Sequence, residues 1–233
     1  MHLVGSYRGW EHDALFMLDT VTSLGGTEVA VDRWGIDYCY SGTQKGLSCP
    51  PGLSPVAISP RAQEAVRNRN TKPTSWYLDL GLVAKYWDSN PVYHHTGPVS
   101  MILALREGLR IVLEEGMETR FKRHRRNATA LRAGLEALGL GLVAPENYSL
   151  DQITPVWIPE GVNDLQVRRA LLREYGIEIG GGLGQFADKV WRIGLMGEGS
   201  KPQFVLALLS ALESILPEVG YEVPGGGGVG AAS

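Results

Sequence analysis

The chain has 233 residues, 44% of them hydrophobic, which is enough for one large core or two modest ones. Its 22 basic and 25 acidic residues give a net charge of −3, which favours neither a nucleic-acid nor a membrane-surface partner. No apolar stretch approaches the roughly 20 residues of a membrane span. The two cysteines, Cys39 and Cys49, are too few for a disulfide framework and fit no zinc spacing, so we expect reduced thiols in an intracellular protein.

The N-terminal part of the chain contains short apolar runs separated by turn-forming residues. Residues 1–13 are polar and contain no recognisable element. The run 14–19 ends on Asp19 and has the composition of a buried parallel strand. Similar runs at 36–40 and 55–59 predict two more strands, with loops rich in glycine, proline and serine between them. A helical pattern follows at 60–69.

A long helical tract comes next, with apolar residues at spacings of three and four from Met101 to Leu138. Gly116 interrupts the tract and Gly139 ends it, and we predict a domain boundary at Gly116. The basic run 122–126 lies within this tract, and we interpret it as a solvated helix face.

The C-terminal part predicts a small α+β domain. It contains a strand at 155–158, a helix at 164–175 capped by Asn163 or Asp164, and an apolar helix at 204–215. Two further strands, at 177–179 and 190–193, flank a glycine loop. Residues 222–233 are glycine-rich with little apolar surface, and we predict that they are disordered.

Lys45 and Asp19 are the candidates for chemistry. Asp19 ends one predicted strand, and Lys45 lies in the small-residue loop that follows the next strand. Pyridoxal phosphate chemistry needs such a pair, because a lysine holds the aldehyde as a Schiff base and a carboxylate keeps the ring nitrogen protonated. Desolvation of the loop would leave more neutral amine available as nucleophile and base. A loop lysine is more commonly a surface residue, so the hypothesis depends on the pairing.

The sequence around both candidates contains several family-specific stretches. Residues 18–26 read LDTVTSLGG, and they are followed by GID at 35–37, YSGTQK at 40–45 and PPG at 50–52. Further stretches are TKP at 71–73, YLD at 77–79, YHHT at 93–96, IEI at 177–179, GGLG at 181–184 and RIG at 192–194. Together they closely resemble the class V aminotransferases of the alanine–glyoxylate (serine–pyruvate) type.

The resemblance implies the fold and the domains. We expect an α/β chain, the C-terminal part of the large domain of PLP-dependent transferase fold type I, with a mostly parallel sheet and flanking helices. A small α+β C-terminal domain would follow. The implied boundaries are 1–115 for the large-domain remnant, 116–221 for the small domain and 222–233 for the tail.

The resemblance also assigns cofactor-binding residues. It makes Lys45 the Schiff-base lysine of pyridoxal 5′-phosphate and Asp19 the partner of the pyridine nitrogen. Val21 would pack against one face of the ring, and Gln44 would reach the phosphate.

Three further residues match family positions. Tyr93 and Thr96 match residues that contact the phosphate of the neighbouring subunit's cofactor, which implies a homodimer with shared sites. Arg192 matches the arginine that binds the substrate α-carboxylate, a role that suits a planar guanidinium. The implied reaction moves an amino group from alanine or serine to glyoxylate or pyruvate.

The sequence departs from the family pattern at its start. The family has a substantial segment before the position of Asp19, which includes the phosphate-cradling loop and an aromatic ring stacked on the cofactor. Residues 1–13 contain no counterpart of this loop or of this ring. We therefore expect the C-terminal part of such an enzyme. One alternative is a catalytically incompetent chain that acts at most as a dimerisation partner. Another is a cysteine desulfurase-like lyase, which is disfavoured because Gln44, not histidine, precedes Lys45.

Two other site types are disfavoured. His94 and His95 are adjacent, so on an extended chain they would point to opposite faces, and no cluster of carboxylates or cysteines accompanies them; we predict no metal site. Residues 182–187 fit a dinucleotide fingerprint loosely, but a strand follows where a helix is required.

The sequence does not decide the cellular compartment of the protein. Peroxisome, mitochondrion and cytoplasm are all compatible with it.

Overall fold

The computed structural model describes residues 13–225 and 227–233. The prediction that residues 1–12 contain no helix or strand therefore falls outside the described residues. The chain forms two compact units. Among the described residues, the first unit comprises 13–21, Val29–Gln44 and Cys49–Glu107, and the second comprises Thr22–Glu28, Lys45–Ser48, 108–225 and 227–233. The division between the units falls within a helix, and two short N-terminal loops join the second unit because their contacts are with residues of that unit. The domain boundary at Gly116 stays a prediction.

The first unit contains a three-stranded sheet. Its strands are β1 (Met17–Asp19), β2 (Tyr38–Tyr40) and β3 (Val56–Ile58), in the order β1-β2-β3. β1 and β2 are parallel, as predicted, with Asp19 opposite Tyr40. β3 is antiparallel to β2. Two parallel neighbouring strands need a crossover connection, usually a helix, and the segment between β2 and β3 contains none.

A buried carboxylate joins the start of this sheet to the first helix. Asp37 accepts hydrogen bonds from the Phe16 N–H (2.9 Å), the Ser59 hydroxyl (2.8 Å) and the Arg61 guanidinium (3.0 Å). Burial alone would raise the pKa of Asp37, but these donors outweigh it and lower the pKa. Ser59 also caps the helix α1 (Pro60–Asn68), which confirms the helical pattern at 60–69.

Two more helices follow. The sequence pattern missed α2 (Leu80–Tyr86), which Asp79 caps by accepting hydrogen bonds from the N–H groups of Gly81 and Leu82. The helix α3 (Val99–Glu115) contains the division between the units. It ends where Gly116 adopts a φ of 79°, and this confirms the predicted helix break.

The second unit contains helices and a three-stranded antiparallel sheet. Its elements in chain order are α4 (Met117–Ala137), β4 (Ile153–Trp157), α5 (Asp164–Tyr175), β5 (Gly180–Gly181), β6 (Val190–Gly194) and α6 (Pro202–Glu218). The sheet order is β4-β6-β5. The α5 bounds and the Asn163 cap were predicted correctly. The strand predicted at 177–179 is displaced, because the residues that pair with β6 are Gly180 and Gly181.

Side chains from α4, the sheet, α5 and α6 form the hydrophobic core of this unit. Eighteen buried residues belong to it, among them Leu131 and Leu135 of α4, Trp191 of β6 and Leu212 of α6. Each of these four side chains is fully buried. The core therefore lies directly beneath β6, the strand that carries Arg192.

The prediction of a disordered tail differs from the structure, where Gly228–Ala232 form the short helix α7. α7 packs against α4 and α6. A Cβ atom on Gly134 would lie 2.8 Å from the Gly228 carbonyl oxygen, and one on Gly228 would lie 2.8 Å from Leu138 Cγ. Glycine offers little apolar area but permits this close backbone approach, which composition alone does not reveal.

The basic run on α4 is also only partly the solvated face predicted from sequence. His124 is buried and Arg123 is half-buried, while Lys122, Arg125 and Arg126 are exposed. Within residues 13–225 and 227–233, no helix is long and apolar enough to cross a membrane.

Candidate active site

Asp19 lies at the carboxyl end of β1, in the first unit. Its carboxylate accepts a hydrogen bond from the Val21 N–H (2.8 Å) and another from the Tyr40 hydroxyl (2.8 Å). The parallel register places Tyr40 opposite Asp19, and the hydrogen bond to Asp19 raises the pKa of Tyr40. Asp19 remains exposed, so its carboxylate is held in orientation and is open to a further partner.

The loop after β2 is held by buried hydroxyl groups. Ser41 donates to the Thr20 carbonyl oxygen (3.0 Å) and Thr43 donates to the Pro50 carbonyl oxygen (2.8 Å). Gln44, the predicted phosphate ligand, is exposed, and a Cβ atom on Gly42 would lie 2.6 Å from its Oε1. A glycine at position 42 is therefore required for this position of the Gln44 side chain.

Tyr93 and Thr96 lie together in the segment between α2 and α3. The Tyr93 hydroxyl and Thr96 Oγ1 are 2.7 Å apart, and both residues are exposed. His94 and His95 do not point to opposite faces as predicted, since their Nδ1 atoms are 2.7 Å apart. This segment is not a strand, so the alternation of an extended chain does not apply.

Lys45 belongs to the second unit, where its backbone is fixed. The Lys45 carbonyl oxygen accepts a hydrogen bond from the Ser48 N–H (2.9 Å), and the next carbonyl oxygen, that of Gly46, accepts one from Arg120 (2.8 Å). A Cβ atom on Gly46 would lie 2.1 Å from the Leu24 carbonyl oxygen, so only glycine fits there. Lys45 is half-buried, and its amine makes no hydrogen bond or ion pair with any residue that the structure describes.

Arg192 lies on β6, also in the second unit. Its Nε donates to the Gly181 carbonyl oxygen of β5 (2.7 Å), which orients the guanidinium. Its two terminal nitrogens have no acceptor among the residues of 13–225 and 227–233. The neighbouring Trp191 faces the core, and its indole N–H donates to Asp164 (2.8 Å). The terminal nitrogens of Arg192 are thus available to a planar anion such as a carboxylate.

The comparison with known proteins decides the family. The family model described as "Aminotransferase class-V" matches residues 7–187. The chain belongs to the class V aminotransferases. The alanine–glyoxylate aminotransferase of Oryctolagus cuniculus is 42% identical over 209 residues, which cover 88% of this chain and 53% of that protein.

Two solved aminotransferase structures match closely. The ureidoglycine–glyoxylate aminotransferase of Bacillus subtilis has a TM-score of 0.92 and 42% identity, covering 96% of this chain and 58% of that one. The alanine–glyoxylate aminotransferase of a Nostoc species has a TM-score of 0.87 and 48% identity, covering 89% and 55%. These matches confirm the predicted fold class and imply pyridoxal phosphate as cofactor. This class V aminotransferase chain spans about half the length of the relatives it matches.

Two residues of this aminotransferase chain that hold predicted site residues, Tyr40 and Arg120, were not predicted from the sequence. Tyr40 was part of a recognised stretch, and its position at the end of the strand beside Asp19 was the available signal. Arg120 contacts the loop that bears Lys45, but it lies 74 residues from Gly46 in sequence. No local pattern distinguishes it from an exposed helix arginine.

Proposed function

We propose that this protein catalyses pyridoxal phosphate-dependent transamination between a small amino acid and a small 2-oxo acid, with Lys45 as the Schiff-base lysine. The single observation that carries the proposal is the free amine of Lys45 on a backbone fixed at Lys45 and Gly46. When bound, the cofactor supplies an electron sink for the bonds at the substrate Cα atom.

The residues present fit this cofactor by the chemistry of their donor and acceptor groups. Asp19 offers a carboxylate oriented by Val21 and Tyr40, which suits a protonated ring nitrogen. Lys45 offers a primary amine, and Gln44 offers an exposed amide for a phosphate oxygen. Val21 is half-buried next to Asp19 and would pack against the ring.

Each of the other proposed residues has one task. Arg192 binds the α-carboxylate of the amino acid through the terminal nitrogens that have no protein acceptor in the described structure. The amine of Lys45 moves the proton at the substrate Cα atom. Tyr93 and Thr96, whose hydroxyls are 2.7 Å apart, would contact the phosphate of a neighbouring subunit's cofactor in a homodimer.

Glyoxylate as the amino acceptor is supported by the names of the relatives, because it occurs in the names of both the alanine–glyoxylate and the ureidoglycine–glyoxylate aminotransferases. The donor is proposed to be alanine or serine. Two features argue against a desulfurase. Gln44 precedes Lys45, and both cysteines are buried, with Cys39 Sγ 3.4 Å from Thr20 Oγ1 and Cys49 Sγ 3.3 Å from the Ala104 carbonyl oxygen.

The test measures alanine-to-glyoxylate transamination by the purified protein with pyridoxal phosphate, together with the absorbance of the bound cofactor. Serine and (S)-ureidoglycine serve as additional donors. The variant Lys45→Ala should lose activity by at least about 10³-fold and lose the lysine-dependent absorbance band. Lys122→Ala removes an exposed lysine on α4 and should leave both unchanged.

Two outcomes contradict the proposal. Activity that survives Lys45→Ala would exclude the lysine as nucleophile. Absence of activity and of cofactor absorbance in the unmodified protein, with retained dimerisation, would support a non-catalytic dimerisation partner. Sedimentation velocity on the same samples reports the dimer independently of the chemistry.

A further inference from the structure

Arg120 is a fully buried arginine that joins the two short loops of the second unit. Its Nε donates to the Gly25 carbonyl oxygen (2.8 Å), in the loop Thr22–Glu28. Its Nη2 donates to the Gly46 carbonyl oxygen (2.8 Å), one residue after Lys45. We propose that Arg120 is a positioning residue that fixes the backbone on which Lys45 is presented. The importance of this role rests on the proposed function.

The Arg120 guanidinium is also bound by Glu115, the last residue of α3. Its Nη1 donates to Glu115 Oε2, and Glu115 also binds Arg123. Hydrogen bonds from Arg123 and Arg120 lower the pKa of Glu115 to about 2, so Glu115 is charged at neutral pH. All three donor nitrogens of Arg120 thus have an acceptor, two of which are loop carbonyls and one a carboxylate.

His124 connects the same helix turn to the segment after β6. Its Nδ1 is 2.8 Å from the Arg120 carbonyl oxygen, and its Nε2 is 3.0 Å from the Gly197 N–H. A carbonyl oxygen can only accept and an N–H can only donate, so His124 is neutral with its proton on Nδ1. Burial lowers the pKa of His124 and thereby maintains this form.

The turn at Gly197–Gly199 also contacts the loop that bears Lys45. The Glu198 N–H donates to Ser48 Oγ (2.8 Å). A Cβ atom on Gly197 would lie 1.9 Å from Ser48 Oγ and 2.9 Å from the Gly46 carbonyl oxygen. Residues 45–48 are therefore contacted both by the Arg120 side chain, at the Gly46 carbonyl oxygen, and by this turn, at Ser48 Oγ. The turn itself follows the strand that carries Arg192.

A purely structural ion pair would not need an arginine at this position. An ion pair with Glu115 alone could be formed by lysine, and apolar residues often replace buried ion pairs without loss of stability. Two carbonyls in separate loops together with one carboxylate require the rigid, planar fork of a guanidinium. Lysine would retain the charge but could not keep all three contacts in this geometry.

The test compares Arg120→Lys with Arg132→Lys in the full chain. Arg132 is a matched control, because it also lies on α4 and donates to a loop carbonyl oxygen, that of Leu150 (2.7 Å), in a loop without a proposed site residue. Amide hydrogen exchange of Ser48 and Gly26 reports the two loops without any cofactor. Arg120→Lys should accelerate both amides about tenfold or more relative to α6, and Arg132→Lys should not.

A second readout uses pyridoxal phosphate. Arg120→Lys should raise the cofactor dissociation constant about tenfold and shift the pH midpoint of the lysine-dependent absorbance band, whereas Arg132→Lys should change neither. Exchange at Ser48 and Gly26 that matches the control, or acceleration that is equal throughout the second unit, would overturn the positioning role. If the unmodified protein itself fails to bind the cofactor, the proposed function fails, while the exchange data still decide the role of Arg120.

A measurement on the unmodified protein covers the case in which Arg120→Lys does not fold. If Arg120 fixes the loops, the Ser48 and Gly26 amides should open with the same free energy as the amides of the first turns of α4. Exchange at the rate of an exposed loop would contradict the proposal.

Discussion

The two units of this chain differ in how they cover their apolar side chains. The second unit has a continuous core of eighteen buried hydrophobic residues. In the first unit the sheet leaves Met17 63% exposed and Val56 46% exposed, and its helical region leaves Trp87 78% exposed. Its buried residues include polar groups such as Asp37, Thr43 and His94. The second unit is therefore organised by hydrophobic burial, while the first depends more on hydrogen bonds between loops and strand ends.

The largest expected difference between the units comes from truncating a leucine in each. Leu212→Ala removes a fully buried side chain of α6 and should cost about 2–5 kcal/mol, through lost burial and the cavity left behind. Leu103→Ala on α3 removes a side chain that is 58% exposed, and the change should stay within about 0.5 kcal/mol. Urea unfolding followed by circular dichroism measures both. Equal losses would mean that the first unit has a core of its own.

Glu115 provides the next difference, in pH dependence. Its pKa is lowered from 4.5 to about 2 by hydrogen bonds from Arg123 and Arg120. Because the folded pKa lies below the ordinary one, the stabilisation is complete above pH 4.5 and is lost as the pH falls towards 2. It amounts to roughly 3 kcal/mol.

Unfolding free energies measured between pH 6 and pH 2.5 test this effect. Glu115→Gln should flatten the acid limb of the curve. Its neighbour Glu114 pairs with Arg110 on the surface, so Glu114→Gln should leave the limb unchanged. An acid limb that is unaltered by Glu115→Gln would show that other carboxylates, such as Asp37 of the first unit, determine the acid response.

Replacing a helical glycine by alanine should cost much more stability in the second unit than in the first. Gly134→Ala places a methyl group 2.3 Å from Leu209 Cδ1 and 2.8 Å from the Gly228 carbonyl oxygen, which should cost about 1–3 kcal/mol and displace α7. Gly81→Ala on α2 has a nearest neighbour at 3.2 Å and should change stability by less than about 1 kcal/mol. Thermal unfolding measures both changes. If Gly134→Ala is tolerated as well as Gly81→Ala, α7 is not packed against α4.

The smallest expected difference concerns helix caps. Asn163→Ala removes the cap of α5, and Asp79→Ala removes that of α2; each should cost about 1 kcal/mol. The two values should agree because capping acts on the first helical turn and does not depend on the core. A much larger loss for Asn163→Ala in urea unfolding would assign it a tertiary role.

Features with a local cause were predictable. The bounds of α5 follow from a cap, an apolar period and a C-terminal glycine, and Gly176 does adopt a left-handed conformation with φ of 66°. The helix break at Gly116 has a similar cause. The shift of β5 to Gly180–Gly181 and the helix α7 were not predictable, because glycines carry no pattern and their pairing depends on distant partners.

The candidate site divides in the same way. The sequence by itself determined that a carboxylate ends β1, that Lys45 lies in a small-residue loop, and that the chain resembles class V aminotransferases. Only the tertiary structure decided which groups hold those residues, since Tyr40 binds Asp19 across 21 residues and Arg120 binds Gly25 across 95. Short-range signals act through backbone propensity, whereas the acceptors of a buried guanidinium are set by how distant loops meet around it.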